Sequence, residues 1–167
     1  MFPNWMMSLN NLKKLYMCNL SLEHLPPLGK LPSLEIVEIW VASSVKKVSV
    51  EFLGIEASGK KKNDDKIIII IAFPNLKSLS FSYLQEWEEW NGIGGEEEDC
   101  VRFTIMPRLQ HLQIRDCLKL KSLPNFLRTT PLQKLEILYC RILEKRCIRG
   151  TGEEWPKISH IPNIQIN

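Results

Sequence analysis

One spacing limits what this chain can fold into. An aliphatic residue recurs at positions one, four and six of a short unit, most clearly in Leu109-Gln-His-Leu112-Gln-Ile114-Arg-Asp-Cys117. Leu112 and Ile114 are two apart, so on an extended strand they point to one face, while His111, Gln113 and Arg115 point to the other. A small apolar cysteine at position nine suits the place where the chain turns away and its backbone needs local hydrogen bonds. One such unit cannot bury its apolar face alone. It needs copies stacked above and below.

The copies are present. Leu12, Leu15 and Met17 repeat the set, as do Leu34, Val37 and Ile39, then Leu76, Leu79 and Phe81, then Leu132, Leu135 and Ile137 with Cys140 at position nine, and finally Ile161, Ile164 and Ile166. This is the strand half of a leucine-rich repeat. The leading residues of successive copies lie 22 to 42 residues apart, so the repeat is irregular. The spacing predicts an α/β solenoid: an irregular leucine-rich-repeat horseshoe with short parallel β-strands on the concave face. Pro26, Pro27 and Pro32 fix φ and remove donors, which leaves loops, 3₁₀ turns and little helix for the convex side. The expected organisation is a single domain over residues 1–167. It holds about six repeats, insertions near 56–72 and 85–104, and a C-terminal cap at 151–167. Within the insertions, 59–66 and 94–99 read as charged solvated loops, and the isoleucine run 67–71 as a strand covering an edge. Trp87 and Trp90 are expected to pack their loop onto the sheet, and residues 143–149 to form a short helix. Leu20 stands where a Cys or Asn would turn the chain, and its segment reads as one residue short. With no polar cap before the first repeat, the chain reads as an internal piece of a longer protein.

Composition excludes several roles. The balance of 25% charged residues and a net charge of +3 favours neither nucleic acid nor a strongly acidic partner. No apolar run reaches the roughly 18 residues of a membrane span, and the N-terminus has no basic flank with an apolar core, so it is no signal peptide. Five cysteines at 18, 100, 117, 140 and 147 follow no disulfide framework and are expected as reduced thiols in a reducing, cytoplasmic setting. Gly54-Ile-Glu-Ala-Ser-Gly59-Lys60 resembles a phosphate loop, but Lys61 occupies the Ser/Thr place that would ligate Mg²⁺. His24, His111 and His160 lack metal-ligand spacing. There is no G-x-S-x-G elbow, Cys100 has acidic neighbours that disfavour a thiolate, and the acidic run lacks the rigid groove that paired catalytic carboxylates need. The chain is expected not to be an enzyme and to hold no cofactor or metal. Asn19-Leu20-Ser21 is a glycosylation sequon that matters only for a secreted chain.

What remains is the outward ladder: Lys14, Tyr16, Glu38, Trp40, Ser80, Ser82, His111, Gln113, Arg115, Lys134 and Glu136. Solenoids bind partners on such surfaces, and Tyr, Trp and Arg are the types that carry interface energy. Tyr16, Trp40, His111, Arg115 and Lys134 are therefore the candidate partner-binding residues.

Several strings, in order, add a resemblance. They are Phe2-Pro-Asn-Trp-Met6, Leu25-Pro-Pro-Leu-Gly-Lys-Leu-Pro-Ser-Leu34, Val50-Glu-Phe-Leu-Gly-Ile55, Phe73-Pro-Asn-Leu-Lys-Ser-Leu79, Glu86-Trp-Glu-Glu-Trp90 and Trp155-Pro-Lys-Ile-Ser-His-Ile-Pro-Asn-Ile164. Together they resemble the C-terminal leucine-rich repeats of plant nucleotide-binding leucine-rich-repeat disease-resistance proteins of the coiled-coil type. The resemblance implies an intracellular immune receptor whose repeats sense pathogen effectors or effector-modified host proteins and restrain a nucleotide-binding switch. It implies the parent receptor's nucleotide-binding domain as a second protein partner. ADP or ATP would belong to that absent domain. The chain lacks the nucleotide-binding and coiled-coil portions, so it is expected to bind without signalling alone. The alternatives are an inactive truncated fragment and a piece of an extracellular leucine-rich-repeat receptor.

Overall fold

Alternation of inward and outward residues sets six strands side by side in a computed structural model that describes residues 4–55, 68–93 and 101–167. They are β1 (Lys14–Leu20), β2 (Ile36–Ala42), β5 (Ser78–Ser82), β8 (His111–Arg115), β9 (Lys134–Leu138) and β10 (Asn163–Ile166), in that order across one sheet. Every pairing is parallel. The register puts Leu15, Val37, Leu79, Leu112, Leu135 and Ile164 in one column, and Met17, Ile39, Phe81, Ile114, Ile137 and Ile166 in the next. In the four inner strands both columns are wholly buried, whereas Leu15, Ile164 and Ile166 at the ends are half-buried because each has a neighbour on one side only. This is the leucine-rich-repeat stacking that the spacing predicts. Each fully buried aliphatic side chain contributes about 1.5–3 kcal/mol.

The chain leaves each inner strand through a bend that the spacing does not announce. Position eight is left-handed in five successive repeats, at Asn19, Val41, Tyr83, Asp116 and Tyr139, with φ of 52° to 60°. None is glycine, and Val41 is β-branched, for which this region is strained. Main-chain pairing holds the bend. The N–H of Tyr83 donates to Arg115 O at 3.0 Å, that of Asp116 to Leu138 O at 2.9 Å and that of Tyr139 to Asn167 O at 2.8 Å. Position nine then turns inward, filled by Leu20, Ala42, Leu84, Cys117 and Cys140. Leu20 pairs in register with Ala42, so the first segment is not one residue short.

The two cysteines at position nine bond to the turn as well as filling space. The Cys117 thiol donates to Arg115 O at 3.3 Å, and the Cys117 N–H donates to Cys140 Sγ at 3.4 Å. The Cys140 thiol lies 3.4 Å from Leu138 O. The neighbouring Cys140 thiol and burial push the Cys117 thiol well above its ordinary value, and burial pushes Cys147 up to about 12. Cys18, Cys117, Cys140 and Cys147 are all free thiols. Cys100 and the greater part of the loop like a phosphate site lie outside the described residues.

The convex side is turn-rich, with 3₁₀ segments at Leu28–Lys30 and Asn125–Thr129, each preceded by proline. Gly29 is required there. A Cβ would stand 2.1 Å from Leu53 O, where the Gly29 N–H reaches Phe52 O and its carbonyl accepts from the Phe73 N–H. Two further parallel pairs flank the main sheet. In one, β3 (Lys47–Val48) pairs with β6 (Glu89–Trp90). In the other, β4 (Ile68–Ala72) pairs with β7 (Val101–Ile105) over five residues in register. The stretches that interrupt the repeat spacing are therefore paired with each other, as successive copies of one longer unit. β4 lies in the isoleucine run, while Ile67 itself is outside the described residues.

Trp87 and Trp90 are buried beside Phe81, with ring centroids 4.8 and 5.3 Å from it. The Trp87 Nε1–H donates to Glu89 O at 2.8 Å, which satisfies its polar edge. Beyond β9, α1 (Arg141–Arg146) and α2 (Trp155–Ile158) lead into β10. A buried carboxylate fixes this end: Glu154 accepts from the Leu123 N–H and from Lys157 Nζ, both at 2.7 Å, and Lys157 also donates to Leu123 O.

Candidate partner-binding face

The same alternation that buries the two columns turns three rows outward. The first runs Lys14, Ile36, Ser78, His111, Lys134, Asn163; the second Tyr16, Glu38, Ser80, Gln113, Glu136, Gln165; the third Cys18, Trp40, Ser82, Arg115, Leu138. All five predicted contact residues stand on these rows, in two separate groups. Tyr16 and Trp40 lie on adjacent strands at one end and are 61% and 51% exposed. His111, Arg115 and Lys134 lie on β8 and β9. Between the groups runs β5, whose outward residues are serines. Ser80 and Ser82 face outward as the period requires, yet both are buried, because their short side chains sit below the taller residues of the flanking rungs. Ser80 Oγ donates to Gln113 Oε1 at 3.1 Å.

The two groups differ in how far they satisfy themselves. Glu136, 9% exposed, gathers two side chains around it: His111 Nε2 lies 2.6 Å from one carboxylate oxygen and Lys134 Nζ 2.9 Å from the other. Burial pushes the Glu136 carboxyl up, but the bonds from Lys134 and His111 outweigh it and hold the group below its usual range. Arg115 donates to Asp116 at 3.2 Å and lies over the Tyr139 ring, 5.6 Å from its centroid. Three of the five predicted contact residues are thus already paired within the chain. Glu136, which pairs two of them, was legible only as one more outward position, although Lys134-x-Glu136 places both on one face of one strand.

Ion pairs also link successive repeats along the margins of the sheet. Glu35 meets Lys13 and Lys77, Lys47 meets Glu89, Glu86 meets Lys119, and Glu88 meets Lys121. Their exposure makes each worth little by itself. Among the described residues no group of three His, Cys, Asp or Glu side chains is placed to hold a metal ion. No helix of the described residues is long and apolar enough to cross a membrane.

An all-parallel ladder of short strands, returned by 3₁₀ turns and open on its outward rows, defines a leucine-rich-repeat protein. Comparison with known proteins gives the same class and narrows it. Residues 1–41 match the family described as R13L1/DRL21 LRRs. The chain is 31% identical over 152 residues to the probable disease resistance protein RF45 of Arabidopsis thaliana, and equally to RDL5 of the same plant; each alignment covers 91% of this chain and 12% of the relative. The probable disease resistance RPP8-like protein 4 of Arabidopsis thaliana is 37% identical over 95 residues, covering 56% of this chain and 10% of its own length. No solved structure matches. The chain belongs to the leucine-rich-repeat proteins and is homologous, over most of its length, to plant disease resistance proteins. It spans about an eighth of the length of RF45 and RDL5.

Proposed function

We propose that this chain is the protein-binding repeat domain of an intracellular plant immune receptor of the coiled-coil, nucleotide-binding type. Its outward rows recognise a pathogen effector or an effector-modified host protein, and they restrain the nucleotide-binding domain of the same receptor. The domain works in the cytoplasm, by contact and without catalysis, and ADP or ATP belongs to the nucleotide-binding domain. Its extent is residues 1–167, with about six repeats, insertions near 56–72 and 85–104, and a cap at 151–167.

The observation that carries this reading is the outward face itself. Side chains of the interface-forming types, Tyr16, Trp40, His111, Arg115 and Lys134, are raised on a rigid parallel ladder whose other side is the core. The homology to disease resistance proteins supplies the defence setting. Binding of the chain to the separately expressed nucleotide-binding domain, or to a cognate effector, tests it. Trp40→Ala and Arg115→Ala should each weaken the complex by roughly 1–3 kcal/mol in titration calorimetry. Affinity unchanged in both variants removes this face from the binding site.

A further inference from the structure

Within the strands of the main sheet there are two carboxylates, Glu38 on β2 and Glu136 on β9, and they occupy the same outward row. The molecule therefore contains its own control. At Glu136 the residue two earlier on the strand is Lys134, the diagonal neighbour on the preceding strand is His111, and both bind the carboxylate. At Glu38 the residue two earlier is Ile36, whose side chain cannot donate, and the diagonal neighbour Lys14 makes no ion pair among the described residues. Glu38 has neither hydrogen bond nor ion pair among the described residues, although it is half-buried.

Its surroundings offer aromatic faces where Glu136 has those two side chains. Tyr16 stands directly across from Glu38 on β1, and Trp40 stands two residues further along β2 on the same face. Parallel strands lie about 4.8 Å apart and same-face neighbours on one strand about 6.6 Å apart. A cation resting on the Glu38 carboxylate would therefore be within reach of both rings, at the roughly 6 Å where cation–π attraction operates. The third side is open. Ser80, opposite Glu38 on β5, is buried and turns its hydroxyl to Gln113, and Ser82, opposite Trp40, is also buried.

We propose that Tyr16, Glu38 and Trp40 form a receptor site for a basic side chain of the protein partner, a guanidinium in preference to an ammonium. The planar guanidinium stacks on aromatic faces, sheds water more readily than an ammonium and can meet the carboxylate with two parallel N–H bonds. The site rests on the reading of this face as protein-binding and gives it a chemical specificity: the partner presents an exposed arginine. Lys14 is the internal competitor, standing where His111 stands at the other end.

The test is a titration of the 167-residue chain with the blocked tripeptide acetyl-Gly-Arg-Gly-amide and with its citrulline counterpart, followed by NMR at the Trp40 indole and the Tyr16 ring. Trp87 and Trp90, buried, report that each variant remains folded. The arginine peptide should give saturable shifts at Trp40 and Tyr16, and the citrulline peptide none. Glu38→Gln should weaken the arginine peptide roughly tenfold, the loss of one charge-assisted contact, and Lys14→Ala should strengthen it. Equal shifts with citrulline, or an affinity untouched by Glu38→Gln, overturns the site. A protein partner separates the two levels. One that binds this face yet ignores Glu38→Gln overturns the arginine site and leaves the protein-binding reading standing. An arginine peptide that binds while neither nucleotide-binding domain nor effector responds to Trp40→Ala or to Arg115→Ala supports the site and removes the wider reading.

Discussion

The inward and outward sides of the same six strands follow opposite rules. Inward, each rung repeats its neighbour: two columns of aliphatic residues and one phenylalanine, closed in the middle and half open at the ends. Outward, no two rungs agree. Exposed aromatics flank a carboxylate on β1 and β2 that has no partner among the described residues, serines sink on β5, and a buried carboxylate bound by a lysine and a histidine sits across β8 and β9. The difference teaches that packing fixes the ladder and leaves the outward chemistry unconstrained, so stability and recognition should separate under mutation.

Four measurements would break or sharpen that separation. Leu112→Ala deletes a fully buried inward side chain with neighbours on both sides and should lower stability by about 2–5 kcal/mol in denaturant unfolding. Leu15→Ala, in the same column but on the end strand, should cost about half as much, since half-exposed surface forfeits less on truncation. If the two losses match, the ends of the column are as tightly closed as the middle.

A pH series probes the outward side. Glu136 has a folded carboxyl held below its unfolded value, so its contribution is present above the usual carboxylate range and is lost as pH falls through the folded value. The melting temperature should therefore fall less between neutral and acid pH in Glu136→Gln than in the parent. An identical slope would mean that His111 and Lys134 do not stabilise the ionised form. Smallest of all, Gln113→Ala should cost about 1 kcal/mol, for the acceptor it withdraws from the buried Ser80 hydroxyl, despite lying between two inward residues whose loss is severe. A loss equal to that of Leu112→Ala would invert the facing of the whole ladder.

Much of this was legible in the residues. A period of two at Leu112 and Ile114, repeated in five other places, defines which side chains enter the core, and Cys117 and Cys140 in the same slot of adjacent repeats mark the turn. Trp87 and Trp90 could be assigned to the core by size alone. The pairing of β4 with β7 could not. Each strand stands in a stretch that breaks the repeat spacing, and its partner is 33 residues away, so no local pattern connects Ile68–Ala72 with Val101–Ile105. The outward pairings escaped for another reason: whether His111 and Lys134 stay free or close on Glu136 depends on side-chain rotamers, which spacing does not encode.

The left-handed bend at position eight of five successive repeats has a consequence of its own. Asparagine, valine, tyrosine and aspartate all occupy that place with nearly the same φ, so main-chain geometry imposes the conformation regardless of which side chain is present. The rim of the sheet is thus a position where heritable variation can swap charge, bulk or aromaticity and leave the scaffold untouched. Diversification of what this surface meets can proceed there one substitution at a time, with no compensating change elsewhere.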